Sequence, residues 1–128
     1  MAADRFANEA VYTPVEGFFG MLGLARRAGK VTPGTGVLVA ALRRGEKPPL
    51  VVIDAAASLG TKSRLWGLCY AKGVPYVTVS ADGRLGDAVG ITAPLSALSI
   101  GDAGFATRLL ALLTETPSHS ATPQEKRR

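Results

Sequence analysis

The sequence predicts an α/β domain in which helices cover both faces of one sheet, a three-layer α/β/α sandwich. Segments with helical periodicity alternate along the chain with short runs rich in β-branched residues. One of these runs, Leu50 to Ile53, is apolar throughout, which is typical of a strand buried on both faces. The chain has 128 residues, 47% of them hydrophobic, which is enough for one core.

The first helix is predicted over residues 15–28. Thr13 and Glu16 have the spacing of a capping box, and Gly29 is a candidate left-handed stop. The apolar residues at helical spacing between them are Phe18, Leu22 and Ala25. This helix follows a flexible leader, which is predicted to cover residues 1–12.

A short strand, a glycine-rich turn and a second helix come next. Residues 30–32 are predicted to form an edge strand, because Pro33 holds its predecessor extended and cannot donate to a ladder. The turn is Gly34-Thr35-Gly36, and the second helix is predicted over residues 36–45. At 3.6 residues per turn, its inward side consists of Leu38, Ala41 and Leu42, and its outward side of Gly36, Ala40, Arg43 and Arg44.

The rest of the chain continues the alternation. The predicted elements are, in order, a strand over 50–53, a helix from Ser58 to Lys72, a strand over 76–79, a short helix over 82–89, a third main strand over 95–100 and a last helix capped by Asp102. Residues 114–128 are polar and contain prolines, so we expect a disordered basic tail there. The single domain is therefore expected to span residues 13–113.

The sequence also predicts a cellular compartment. The N-terminal segment carries Asp4 and Glu9 and has no apolar run, so it has the character of neither a secretory signal nor a membrane anchor. No apolar stretch reaches the roughly 18 residues that a membrane-spanning helix needs. We therefore expect a cytoplasmic protein with no membrane partner.

Positive charge is concentrated in the first half of the predicted domain. The formal net charge is +5, and the segment 26–72 holds nine basic residues against two acidic ones, Glu46 and Asp54. The basic residues around the glycine turn are Arg26, Arg27, Lys30, Arg43 and Arg44, with Lys62 and Arg64 further along the chain. Together with the turn amides at a helix N-terminus, they indicate a surface for a polyanion. Arginine in a last helical turn also complements the helix dipole, so a purely structural role stays open.

The sequence offers little for catalysis or metal binding. The single cysteine, Cys69, has leucine neighbours that suggest a buried helical position, and the single histidine, His119, lies in the predicted tail. Ser58, Thr61 and Lys62 fit the start of a helix better than a nucleophile with its base. Asp54 ends a strand with no obvious second carboxylate, so loop hydrogen bonding explains it more simply. We predict no catalytic residue, no metal site and no cofactor.

An ordered set of short motifs resembles one bacterial family. The motifs are Leu22-Gly23-Leu24-Ala25-Arg26-Arg27-Ala28-Gly29-Lys30, Gly34, Ala41-Leu42-Arg43, Gly45, Ser58, Thr61-Lys62, Cys69, Val74-Pro75, Leu85-Gly86, Ala88-Val89-Gly90, Asp102 and Gly104-Phe105-Ala106. In this order they resemble the YlxQ family of small ribosomal-protein-like RNA-binding proteins, a branch of the superfamily of ribosomal proteins that bind kink-turn RNA. The resemblance extends from about Phe18 to Leu113.

The resemblance implies a fold and a binding surface. The fold is an α/β/α sandwich around a mixed four-stranded sheet. RNA is expected on the turn before the second helix, on the N-terminal half of that helix, and on the loop after the fourth helix. The predicted RNA contacts, including the basic residues above, are Arg26, Arg27, Lys30, Gly34, Thr35, Gly36, Ala40, Arg43, Arg44, Lys62, Arg64, Ile91, Thr92 and Ala93. The implied partner is structured RNA, with association with the ribosome as a further expectation.

The chain departs from the kink-turn pattern at three positions. Kink-turn binders carry a Gly-x-Asn-Glu run with a Lys four residues after the Asn, and these positions hold Gly36, Val37 and Ala40. Asn and Glu supply directional hydrogen bonds to base edges, which Gly and Val cannot make. We therefore expect RNA binding to be retained more surely than kink-turn specificity.

Two other functions stay open at this point. A protein-interaction module on the same fold is favoured by the missing Asn, Glu and Lys. The other is a nucleotide-binding enzyme, because part of the sequence matches the glycine-rich fingerprint of dinucleotide-binding proteins. The match consists of Gly34-Thr35-Gly36, with Val39 at the position of the third small residue and Asp54 about twenty residues further on. The short preceding strand, interrupted by Pro33, counts against the enzyme.

Overall fold

The computed structural model describes residues 10–115, in which strands and helices alternate. The strands are β1 (Val11–Pro14), β2 (Val31–Pro33), β3 (Leu50–Asp54), β4 (Tyr76–Val79), β5 (Ala97–Ile100) and β6 (Leu113–Glu115). The helices are α1 (Phe18–Arg27), α2 (Thr35–Arg43), α3 (Leu59–Lys72), α4 (Leu85–Ala88) and α5 (Ala103–Leu110). The predicted α/β class is confirmed.

All of these strands join one mixed sheet in the order β2-β5-β3-β4-β1-β6. β3, β4 and β1 run parallel, β5 is antiparallel to both of its neighbours, and β6 is antiparallel to β1. The resemblance implied four strands, and the described part of the chain contains six. The sequence did not predict β1 and β6, because β1 overlaps the capping signal at Thr13 and β6 lies where the predicted polar tail begins, so neither has the local pattern of a strand.

Helices cover both faces of the sheet, which makes the three predicted layers. Along β3, Leu50 and Val52 face a core that α1, α4 and α5 complete. The alternate residues, Val51 and Ile53, face a second core made with α2 and α3. All of these β3 side chains are buried, as expected for an apolar central strand.

The N-terminal cap predicted from Thr13 and Glu16 is wrong. Thr13 lies in β1, opposite Thr114 of β6, and α1 begins only at Phe18. Gly17 precedes the helix with φ of 97°, and no side chain caps α1. Pairing of β1 with β4 and β6 therefore overrides a local capping signal.

The ordered elements extend slightly past the expected domain limits of 13 and 113. β1 starts at Val11, inside the predicted leader, and β6 ends at Glu115, inside the predicted tail, because these two segments pair with each other. The remainder of the leader and tail, including His119, lies outside the described residues.

Three other local signals predicted helix ends correctly. The Ser58 hydroxyl accepts a hydrogen bond from the Thr61 N–H at 3.1 Å, and the Asp102 carboxylate accepts one from the Phe105 N–H at 2.9 Å. Gly73 ends α3 in the left-handed conformation, with φ of 69°. Within residues 10–115, no helix has the length and apolar character needed to cross a membrane.

Candidate nucleic-acid interface

The strand directions bring several loops to one edge of the sheet. β1, β2, β3 and β4 all run the same way, so the segments that follow them meet at what is here called the carboxyl edge. Because β5 is antiparallel, the loop that precedes it, residues 91–96, reaches the same edge. The opposite edge, where Lys30 precedes β2 and Gly101 follows β5, is called the amino edge.

The glycine turn is fixed at the carboxyl edge by its backbone. Gly34 has φ of 114°, a conformation that strains any residue with a Cβ. Its N–H donates to the carbonyl of Ala97, the first residue of β5, at 3.0 Å, and its carbonyl accepts from the Leu38 N–H. This places the start of α2 beside the loop 91–96. Gly36 and Val37 are exposed there, so the turn is open to a ligand.

The loop after α4 is held close to that helix by a glycine. A Cβ on Gly86 would lie 2.7 Å from the carbonyl oxygen of Ile91 and 3.3 Å from that of Ala93, so only glycine lets the loop pass. The Ile91 N–H also donates to the Gly86 carbonyl at 2.8 Å. Thr92 and Ala93 are exposed, and Ile91 is half-buried. The sequence did not predict this supporting role of Gly86, since the residues around Gly86 do not indicate which backbone segment packs against it.

Asp54 joins two loops of the carboxyl edge. Its buried carboxylate accepts from the Ala56 N–H at 2.9 Å and from the Gly83 N–H at 2.8 Å. The interpretation of Asp54 as a loop hydrogen-bonding residue is therefore confirmed. A cavity of about 350 Å³ lies between these loops and residues 91–96.

Lys62 and Arg64 lie in the first half of α3, which starts at the carboxyl edge. The Lys62 ammonium donates to the Ala55 carbonyl at 2.9 Å and lies 5.9 Å from the centroid of the Trp66 ring. Lys62 is half-buried, whereas Arg64 is exposed. Lys62 therefore contributes to the structure of this edge.

Five of the predicted basic contacts lie at the amino edge, away from the glycine turn. They are Arg26 and Arg27 at the end of α1, Lys30 before β2, and Arg43 and Arg44 at the end of α2. Both helices begin at the carboxyl edge and run back across the sheet, so α2 alone separates Gly34 from Arg43 by about 13.5 Å. Ala40 lies between the two ends on the exposed side of α2. The structure thus places these basic residues and the glycine turn at opposite edges of the sheet, although they are close together in sequence.

Arg44 is partly neutralised where it stands. Its Nη2 lies 2.7 Å from Oε2 of Glu46, and both side chains are exposed. An exposed ion pair of this kind stabilises the fold little, because water screens it. It does reduce the positive charge that Arg44 offers to a ligand.

The remaining candidates for chemistry are occupied by packing. Burial raises the pKa of the Cys69 thiol to about 12, so the group is protonated at neutral pH and is a poor nucleophile. The Trp66 Nε1–H donates to the hydroxyl of Thr78 at 2.9 Å in the core. Within residues 10–115, no three His, Cys, Asp or Glu side chains are grouped to hold a metal ion.

Comparison with known families and proteins gives one consistent result. A model of the ribosomal protein L7Ae/L30e/S12e/Gadd45 family matches residues 18–110. The chain is 33% identical over 96 residues to RNA-binding protein YlxQ of Bacillus subtilis. This alignment covers 75% of this chain and 94% of that relative. It is 36% identical over 80 residues to the large ribosomal subunit protein eL8 of Thermoplasma volcanium, covering 62% of this chain and 65% of that protein.

Solved structures show the same similarity. A protein of unknown function from Bacillus halodurans C superposes with a TM-score of 0.66 at 32% identity, covering 74% of this chain and 94% of that one. The Giardia lamblia 15.5kD RNA binding protein superposes with a TM-score of 0.59 at 26% identity, covering 73% and 85%.

Proposed function

The chain belongs to the ribosomal protein L7Ae/L30e/S12e/Gadd45 family, and we propose on that basis that it is a non-catalytic, cytoplasmic protein that binds structured RNA. Two of the similar proteins are named as RNA-binding and a third as a ribosomal subunit protein, which supports an RNA partner and makes ribosomal RNA the first candidate. One structural observation carries the proposal. The glycine turn, in which Gly36 is exposed, is hydrogen-bonded through the Gly34 N–H to the carbonyl of Ala97, the residue that directly follows the loop 91–96.

In this proposal, RNA approaches along the exposed side of α2. Gly36 and Ala40 are small and exposed, so a sugar-phosphate backbone can come close to the helix. The free backbone amides at its start face the carboxyl edge and suit a phosphate. Arg43, exposed at the other end, reaches a phosphate further along the strand. Thr35 and the loop 91–93 complete the contact at the turn.

Recognition is expected to depend on shape and charge more than on base edges. Where kink-turn binders carry Asn, Glu and Lys, this chain has Gly36, Val37 and Ala40. None of these side chains donates or accepts a hydrogen bond. Backbone amides and arginines contact phosphates without sequence information. We therefore expect affinity for folded RNA without a strong requirement for the sheared G·A pairs of a kink-turn.

The proposal is tested with two labelled RNA hairpins. One contains a ribosomal kink-turn, and in the other Watson–Crick pairs replace the sheared G·A pairs. Fluorescence anisotropy should show that the full chain binds both with similar affinity, which falls steeply as salt increases. No binding to either hairpin would refute RNA binding. A large preference for the intact kink-turn would refute the expected loss of specificity.

One observation favours the second candidate function, a protein-interaction module. Val37 is 54% exposed at the start of α2, and Leu59 is 68% exposed at the start of α3, on the same edge of the sheet. Exposed apolar side chains are common in protein interfaces. A protein partner captured in pull-downs and lost with Val37→Ser, together with RNA affinity no greater than that of an unrelated basic protein, would favour this function.

A further inference from the structure

Arg84 is held by an aromatic side chain at the carboxyl edge. It lies between β4 and α4 and is exposed. Its guanidinium carbon is 4.0 Å from the centroid of the Phe19 ring, which places the guanidinium against the ring. Phe19 itself makes an edge contact with the fully buried Phe18, with ring centroids 5.3 Å apart. The arginine therefore rests on a platform that is anchored in the core.

The guanidinium N–H groups of Arg84 have no protein acceptor within residues 10–115. Its side chain makes no hydrogen bond or ion pair there, in contrast to Arg44 with Glu46 and Lys62 with Ala55. Stacking on a ring leaves the N–H groups in the guanidinium plane available. It also restricts the side chain in advance, which lowers the entropy lost when an anion binds. Arg84 is thus a cation pre-positioned by Phe19, and its guanidinium N–H groups have no acceptor in the described part of the chain.

The position of Arg84 continues the proposed RNA surface. The glycine turn follows β2 and the Arg84 loop follows β4, and three strand spacings separate them, about 14 Å. Between them lie the loop 91–96 and the loops joined by Asp54. Beyond Arg84 is a surface cavity of about 320 Å³, formed with residues 14–17, which include the acidic Glu16, and with Phe19 and Gly20. The carboxyl edge is thus continuous from the turn to Arg84.

We propose that Arg84 is an RNA contact: held by Phe19, it binds a phosphate of the RNA strand that crosses the carboxyl edge from the Gly34 turn. The contact extends the interface past the loop 91–93 to the side of the sheet covered by α1 and α4, where none of the basic residues predicted from the sequence lies at the carboxyl edge. This proposal rests on the proposed function and adds one phosphate contact to the RNA interface. Arginine suits this role because its planar donors fit phosphate oxygens in pairs.

The test uses the full chain and the labelled kink-turn hairpin described above. Arg84→Gln removes the charge, and Lys72→Gln removes one positive charge at the amino edge as a matched control. Removing one phosphate contact should weaken binding several-fold and reduce the slope of log K against log salt by about 0.7 to 0.9. The control should leave the slope unchanged, and thermal melting should show both variants folded.

Two further variants separate charge from stacking. Arg84→Lys should keep the salt slope but recover only part of the affinity, because lysine is a flexible point charge. Phe19→Leu should also keep the slope while lowering affinity, since it removes the platform and leaves the charge. If Arg84→Gln and Lys72→Gln bind like the wild type, the Arg84 contact is refuted while RNA binding stands. If the wild type does not bind the hairpin, both proposals fail.

Discussion

The carboxylate of Asp54 accepts a hydrogen bond from the backbone N–H of Gly83 at 2.8 Å, across 29 residues of sequence. A second oxygen of the same carboxylate accepts from Ala56, so one side chain fixes the loops after β3 and β4. Arg84 follows Gly83 directly. The position of the surface residue Arg84, in the loop after β4, therefore depends on the buried carboxylate of Asp54 at the end of β3.

Asp54→Asn should destabilise the protein by about 1–3 kcal/mol, because the amide group replaces one acceptor and leaves a backbone N–H without a partner. Urea denaturation measures the change. Asp82→Asn is the matched control, since Asp82 is exposed in the adjoining loop and asparagine tolerates its positive φ of 49°. Equal denaturation midpoints for the two variants would contradict the role given to Asp54.

Gly34→Ala should cost about 1–3 kcal/mol of stability, because alanine is strained at φ of 114°. Gly36→Ala provides the comparison two residues later. Gly36 is helical and a Cβ there meets nothing within 4 Å, so alanine should raise stability by up to about 1 kcal/mol. Denaturation of both variants decides the point, and a Gly34→Ala protein as stable as Gly36→Ala would show that the turn is not specified by glycine.

Arg43→Gln should weaken binding to the kink-turn hairpin more than Arg44→Gln does. Both side chains are exposed and adjacent, but Arg44 already contacts Glu46 at 2.7 Å and offers less charge to a phosphate. Anisotropy titrations at two salt concentrations measure the affinities and their salt dependence. A larger loss for Arg44→Gln would place the RNA on the Glu46 side of α2 instead.

Cys69 should make stability fall at alkaline pH. Burial raises its pKa to about 12, from a usual value of 9.0, so between these values the unfolded chain loses a proton that the native protein keeps. The free energy of unfolding then decreases by up to about 1.4 kcal/mol per pH unit above pH 9. Below pH 9 the thiol is protonated in both states and contributes no slope.

Cys69→Ala isolates that contribution from other groups that titrate in the same range. Alanine lowers stability at neutral pH by removing buried volume, but the gap to the wild type should narrow as pH rises from 9 towards 11. Urea titrations at several pH values measure the gap. A gap that stays constant would mean that the thiol ionises equally in both states.

The candidate site was predictable in its parts more than in its arrangement. The sequence pointed to the Gly34 turn through its glycines and to Ile91 through a family resemblance, and the structure places both at the carboxyl edge. Arg43 is close to that turn in sequence, but helix α2 places it about 13.5 Å from Gly34. The sequence did not indicate Arg84 as a contact, because Phe19, the ring on which it rests, lies 65 residues earlier in the chain.

The sequence by itself determined the α/β alternation, the buried strand β3, the caps at Ser58 and Asp102, and the family. Each of these is encoded by residues close to one another, through periodicity, hydrogen bonding within one turn, or an ordered set of motifs. Only the tertiary structure decided the pairing of β1 with β6, the edge on which each cation lies, and the contact of Arg84 with Phe19. These depend on which distant segments become neighbours when both faces of the sheet are buried, and local patterns contain no record of that.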